Sequence, residues 1–141
     1  MQFGHRQLQA IEPGTTISGN VDNYQPYKLP SEVVIELAGC RSAIRHILYE
    51  GGKLTKEGRT FLQENKPDLC IFGHTHQPSA EWFGQTLLFN SGSAGPQWFN
   101  LPRGLAKLPR QGDRAKENFW LLTLGPIRGW GRHAKESRSR P

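Results

Sequence analysis

No apolar run in this 141-residue chain approaches the length needed to cross a bilayer, and residues 1–10 lack the apolar core of a secretory signal. Both absences exclude a helix-anchored membrane protein from the reading and leave the reducing cytoplasm as the expected compartment. Cysteine is scarce as well. Cys40 and Cys70 are the only two, each lies beside or inside an apolar stretch, and neither has a C-x-x-C partner. That excludes a disulfide scaffold and a thiolate zinc site, and predicts two buried, reduced thiols. Basic charge is thin outside the C-terminus. Of the net +6, residues 125–141 hold Arg128, Arg132, Lys135, Arg138 and Arg140 against Glu136, which leaves the body close to neutral. Residues 125–141 therefore read as a basic, disordered tail capable of nonspecific nucleic-acid contacts, and a basic nucleic-acid-binding face on the body is excluded.

What is plentiful is turn chemistry. Sixteen Gly and ten Pro in a chain that is 35% hydrophobic argue for one modest domain with many loops, not for a helical bundle. Phe3, Leu8 and Ile11 stand at loosely helical spacing before Glu12-Pro13-Gly14, and Thr15-Thr16-Ile17 is a short β-branched strand candidate ending in Ser18-Gly19-Asn20. Glu32 to Leu37 reads as a strand, Ala38-Gly39 as a tight turn, and Arg41 to Ile47 as the returning strand. Gly51-Gly52 breaks the chain before a helix over about 55–65, with Thr55 as N-cap and Pro67 as terminator. Asp68 to Phe72 is nearly continuously apolar, the pattern of a strand buried on both faces of a parallel or mixed sheet. Glu81–Phe83 and Thr86–Asn90 flank Gly84-Gln85 as a hairpin, a long Gly/Pro-rich loop follows, and Asn118 to Leu124 reads as a last strand. The order is α/β with mixed sheets.

Three strand candidates leave polar side chains at their C-terminal exits: Asn20 after the first, His46 after the second, His74 and His76 after the third. Open α/β sheets bind ligands at those exits. In an extended segment residues i and i+2 project the same way, so His74 and His76 are expected to face one pocket, with Gly73 leaving room for a sharp turn. Two imidazoles invite Mn²⁺, Fe or Zn²⁺, and the amide oxygen of Asn20 is a neutral donor for the same kind of ion. A lone His at a strand end is ordinarily structural and a lone Gly-Asn is ordinarily a turn, so His46 and Asn20 are raised only by the joint pattern. His5 and His133 have no such context.

Taken together, GNVDN, HILYEGG, KPDLCIFGHTHQP and LLFNSGSAGP resemble successive blocks of the calcineurin-like metallophosphoesterases, in particular the small bacterial phosphodiesterases, from about Ile11 to Arg103 and more loosely to Leu124. The resemblance implies an α/β fold of the metallophosphoesterase type, a partial four-layer α-β-β-α sandwich with mixed sheets. It implies that Asn20, His46 and His74 ligate one divalent metal ion and His76 a second, with Mn²⁺ expected first and Fe, Zn²⁺ or Ni²⁺ as relatives. The implied reaction is hydrolysis of a phosphoester by a metal-activated water. Asn90, Ser93 and Arg103 are implied to shape the pocket or hold phosphate oxygens. A retromer subunit of the same fold that serves as a protein-binding scaffold supplies the alternative reading.

The chain departs from the family pattern in three places. The family's Asp-x-His and Gly-Asp blocks should precede Asn20, yet residues 1–19 contain no Asp. Residues 1–124 are accordingly read as a phosphoesterase domain lacking its first ligand-bearing segment, an N-terminally truncated copy with turnover expected near background. The missing strands are expected to expose residues 15–17 and 68–72, inviting self-association through a sheet edge. Val21 stands where many relatives have His, and Ser91 replaces the Pro of an NPGS loop.

Overall fold

The computed structural model of the chain describes residues 2–20, 29–37, 39–94, 101, 105–107 and 122–124. Helix α1 (Gln2–Ile11) opens the chain, with Leu8 and Ile11 exposed. β1 (Glu32–Leu37) and β2 (Cys40–Arg45) then form an antiparallel hairpin whose last pair is Leu37 with Cys40. Closing it in two residues demands a left-handed backbone, which Gly39 supplies at φ 76°. The two-residue strands β3 (Tyr49–Glu50) and β4 (Lys53–Leu54) make a small second hairpin around Gly51 and Gly52, both at positive φ.

Helix α2 (Lys56–Asn65) starts where the sequence places it. The Thr55 hydroxyl accepts from the amide of Gly58 at 3.0 Å, and the helix closes on Lys66 in the left-handed conformation before Pro67. β5 (Leu69–Phe72) follows, then β6 (Ser79–Phe83) and β7 (Thr86–Asn90). The sheet order is β1-β2-β5-β7-β6, with β5 parallel to both β2 and β7 and the two edge pairs antiparallel. This is the mixed sheet the apolar run of β5 predicts: a strand central in its sheet is covered on both faces.

Residue parity divides the core. Ala43, Cys70, Phe72 and Leu88 face α2, where Phe61 and Leu62 pack with Leu48. On the opposite face Cys40, Leu69, Leu87 and Phe89 form a second buried cluster, against which Ala106 packs. The described residues thus supply a helical layer, a five-stranded mixed sheet and an apolar second face, in a mixed α/β architecture. Both cysteines are buried thiols, as expected.

Several expectations need correction. Thr15–Ile17 form no ladder among the described residues; the segment is tied instead by Ser18 N donating to Pro30 O at 2.9 Å. β-branching favours a strand only where a partner lies alongside. Residues 69–72 are not laid open either, because β5 sits between β2 and β7 and Leu69, Cys70 and Phe72 are buried. The sheet's edges are β1 and β6. The long Gly/Pro-rich loop contains β8 (Leu105–Lys107), which pairs antiparallel with β9 (Leu122–Leu124). Three residues between prolines carry too little periodicity to announce a strand. The predicted strand residues 118–121 and the basic tail 125–141 lie outside the described residues. Among the described residues no helix is long and apolar enough to cross a membrane.

Candidate metal centre

Two parallel strands set the site. The pairing of β2 with β5 ends at Arg45 opposite Phe72, so the residues that leave the sheet next, His46 and Gly73, emerge side by side. Gly73 N donates to His46 O at 3.0 Å. A Cβ at position 73 would stand 3.2 Å from His46 Nδ1, so the glycine leaves the space that the imidazole fills. The ring of His74 meets that of His46 edge to face, with centroids 5.6 Å apart.

Asn20 arrives from a separate part of the chain. Its Oδ1 lies 2.9 Å from His46 Nε2. With the proton on Nε2 this contact is a hydrogen bond; with the proton on Nδ1, two lone pairs aim at one point. An amide oxygen and an imidazole nitrogen this close would suit one shared divalent cation. Asn20, His46 and His74 are thereby brought together from separate chain segments.

His76 lies two residues beyond His74, half-buried. The strand argument for this pair does not apply, because β5 stops at Phe72 and both histidines take left-handed backbone conformations, φ 65° at His74 and 56° at His76. Non-glycine residues seldom adopt that region, and where they do the surrounding structure must hold them there. Sequence reasoning passed over Glu50, whose Oε1 lies 3.9 Å from His74 Nε2. The signal available was Gly51-Gly52, which read as a break although it closes the hairpin that carries Glu50 to the site. Among the described residues no group of three His, Cys, Asp or Glu side chains clusters with metal-site geometry.

Two neighbouring groups, Cys70 and Tyr49, are held in their protonated forms. Burial pushes the Cys70 thiol up to about 12, against the opposing pull of the Arg45 charge, so it offers no thiolate near neutrality. Tyr49 is likewise raised to about 12, by burial first and then by its hydrogen bond to Glu81, and its ring packs on Phe72.

Of the three residues expected around a phosphate, Asn90 is 1% exposed and its amide is engaged inside the protein. Nδ2 donates to Thr75 Oγ1 at 3.0 Å and to Gly73 O at 3.3 Å, and Oδ1 accepts from Gly92 N at 2.8 Å. These bonds tie the side chain to the histidine loop. Ser93 is half-buried in the same following loop. Arg103 lies outside the described residues.

Comparison with known proteins bears on the family and the fold. The model of the calcineurin-like phosphoesterase superfamily domain matches residues 2–111. A protein of Methanothermobacter thermautotrophicus described as a probable metallophosphoesterase is 30% identical over 88 residues, which are 62% of this chain and 51% of the relative. The chain thus spans about half the length of that curated relative. Among solved structures, a predicted phosphoesterase from Streptococcus pneumoniae TIGR4 is 26% identical with a TM-score of 0.64, over 79% of this chain and 62% of that one. Vacuolar protein sorting 29 from Cryptosporidium parvum shares the fold at a TM-score of 0.65 and 19% identity, over 89% of this chain and 77% of its own.

Proposed function

Because this chain belongs to the calcineurin-like phosphoesterase superfamily, we propose that it carries part of a cytoplasmic metal-dependent phosphodiesterase centre, in which Asn20, His46 and His74 hold one divalent cation and His76 is a donor to a second that residues 1–141 by themselves do not retain. The observation that carries this reading is the 2.9 Å approach of Asn20 Oδ1 to His46 Nε2, with the His74 ring beside them. A metal phosphoesterase relative and the donor chemistry support it.

Mn²⁺ is the expected ion, with Fe, Zn²⁺ or Ni²⁺ able to occupy the same donors. Bound divalent ions supply Lewis-acid stabilisation of phosphate oxygens and a water acidified toward neutrality. The chain's own residues set charge and orientation. Neutral imidazole and amide donors leave the cation's positive charge uncompensated, which favours an anionic phosphodiester. Ser93 and the guanidinium of Arg103 are the proposed contacts to phosphate oxygens.

The test is hydrolysis of bis-p-nitrophenyl phosphate with Mn²⁺. Residues 1–141 bring four of the expected donors, so their turnover is expected near background. Joining a segment that carries Asp-x-His and Gly-Asp should raise it by orders of magnitude, and His74→Ala should remove the gain. A gain that survives His74→Ala overturns the assignment.

A second reading, a protein-binding scaffold, draws on Leu37 and Trp82. Both lie on the face of the sheet opposite α2, on edge strands β1 and β6, and are 56% and 58% exposed. Vacuolar protein sorting 29 has this fold. Self-association through those edge strands belongs to the same reading. Sedimentation analysis separates the readings: an assembly that Leu37→Lys or Trp82→Lys dissolves, in a chain that binds no metal, favours the scaffold.

A further inference from the structure

We infer that Asn90 is a positioning residue for the metal centre: its buried side-chain amide locks the 73–76 loop in the left-handed conformation that presents His74 and His76. The inference rests on the metal-centre reading above, but its first readout does not need a metal.

The sequence Gly73-His74-Thr75-His76 has no intrinsic reason to bend as it does. His is tolerated in the left-handed region better than a β-branched residue, but two such residues within three positions need outside restraint. Within the loop Thr75 N donates to Gly73 O at 2.7 Å. Asn90 adds restraint from outside it. Its Nδ2 donates on both sides of His74, to Gly73 O and to Thr75 Oγ1. Thr75 Oγ1 in turn accepts from Gln77 N at 3.4 Å, carrying the tie past His76.

The amide can face only one way. Oδ1 accepts from the backbone amide of Gly92, a group that can only donate, so Nδ2 must point to the histidine loop. Gly92 is itself fixed, at φ 82° with Pro78 so close that a Cβ would meet its Cγ at 2.9 Å. Position 90 thus joins two loops, each constrained, across the end of β7. At 1% exposure the Asn90 amide is closed to water, so losing its hydrogens removes both of the bonds it gives to the half-buried Gly73 O and Thr75 Oγ1.

Three variants test this. Asn90→Asp keeps shape and the acceptor to Gly92 but removes both donated bonds. Thr75→Val keeps the β-branch and loses the hydroxyl, and Thr75→Ser restores it. Leu88→Val, in the same strand, is a packing control. The first readout is the backbone chemical shifts and HN–Hα couplings of His74 and His76 in the metal-free protein, which report the sign of φ. Both histidines should lose the left-handed signature in Asn90→Asp and Thr75→Val, and keep it in Thr75→Ser and Leu88→Val. The second is Co²⁺ titration followed by visible absorption. The first two variants should bind about ten- to a hundred-fold more weakly, the usual range when a partner that orients a ligand is lost. Unchanged shifts in Asn90→Asp overturn the inference. A parent chain that binds no Co²⁺ contradicts the metal reading and leaves the loop test decisive for Asn90. If Asn90→Asp does not fold, Thr75→Val with its Thr75→Ser rescue decides.

Discussion

His46 and Gly73 compete for one volume: a Cβ at position 73 would stand 3.2 Å from Nδ1 and 3.4 Å from Cε1 of the imidazole, while Gly73 N donates to His46 O. On its other side the same ring is held by Asn20 at 2.9 Å and flanked by His74. The ring therefore has little room to yield. Gly73→Ala should displace it by a few tenths of an ångström and weaken divalent-metal binding by about tenfold, in the range seen when ligand orientation is disturbed. Calorimetric titration checks this, and affinity within twofold of the parent would show that the ring can move freely.

Gly58 offers a test of packing against propensity. Ala is a better helix former than Gly by about 0.8–1.0 kcal/mol. Yet a Cβ at Gly58 would lie 2.8 Å from Thr55 Oγ1, 2.9 Å from Leu48 Cδ1 and 3.0 Å from Leu48 O. Thr55 is the N-cap and Leu48 is fully buried, so neither neighbour is a loose surface group. Overpacking of this kind costs about 1–3 kcal/mol. Gly58→Ala should be net destabilising in urea unfolding, and a stabilised variant would show that the helix start repacks without strain.

Much of this was legible in the sequence. α2 announces itself through Thr55 and Pro67, the β1–β2 hairpin through Ala38-Gly39, and β5 through an apolar run that only a doubly covered strand tolerates. His46 and His74 converge because their strands are parallel neighbours, a relation contained in the order of elements. Other features depend on tertiary bonds that have no local sign. Thr15–Ile17 has strand composition but no ladder among the described residues, and Asn90, read from the sequence as a strand end and a pocket residue, turns its buried amide onto the histidine loop. The left-handed histidines could not be read from GHTH, since bonds that brace the loop come from Asn90, at the end of another strand.

Alkaline pH probes the core beneath the site. The Cys70 thiol rises from an ordinary 9.0 to about 12 in the folded chain, because burial penalises the thiolate. Between those values the unfolded chain releases a proton that the folded chain retains, so stability falls as pH rises through that window. The slope for one proton is about 1.4 kcal/mol per pH unit. Below pH 9 the group contributes no slope. In Cys70→Ala the stability loss from pH 9 to 11 should be shallower by about one proton, measured by denaturant unfolding at each pH. An identical slope would mean that Cys70 ionises as readily folded as unfolded.

Whether Asn20, His46 and His74 share one cation decides the proposed centre. Titration of the apo chain with Mn²⁺ and Zn²⁺, with metal content counted after dialysis, should give one bound ion per chain. His46→Ala and His74→Ala should each abolish that binding, and Asn20→Ala should weaken it strongly, while far-ultraviolet circular dichroism stays that of the parent. A bound ion that persists undiminished in the His46→Ala/His74→Ala double variant, or a parent chain that holds none, would contradict the proposed centre.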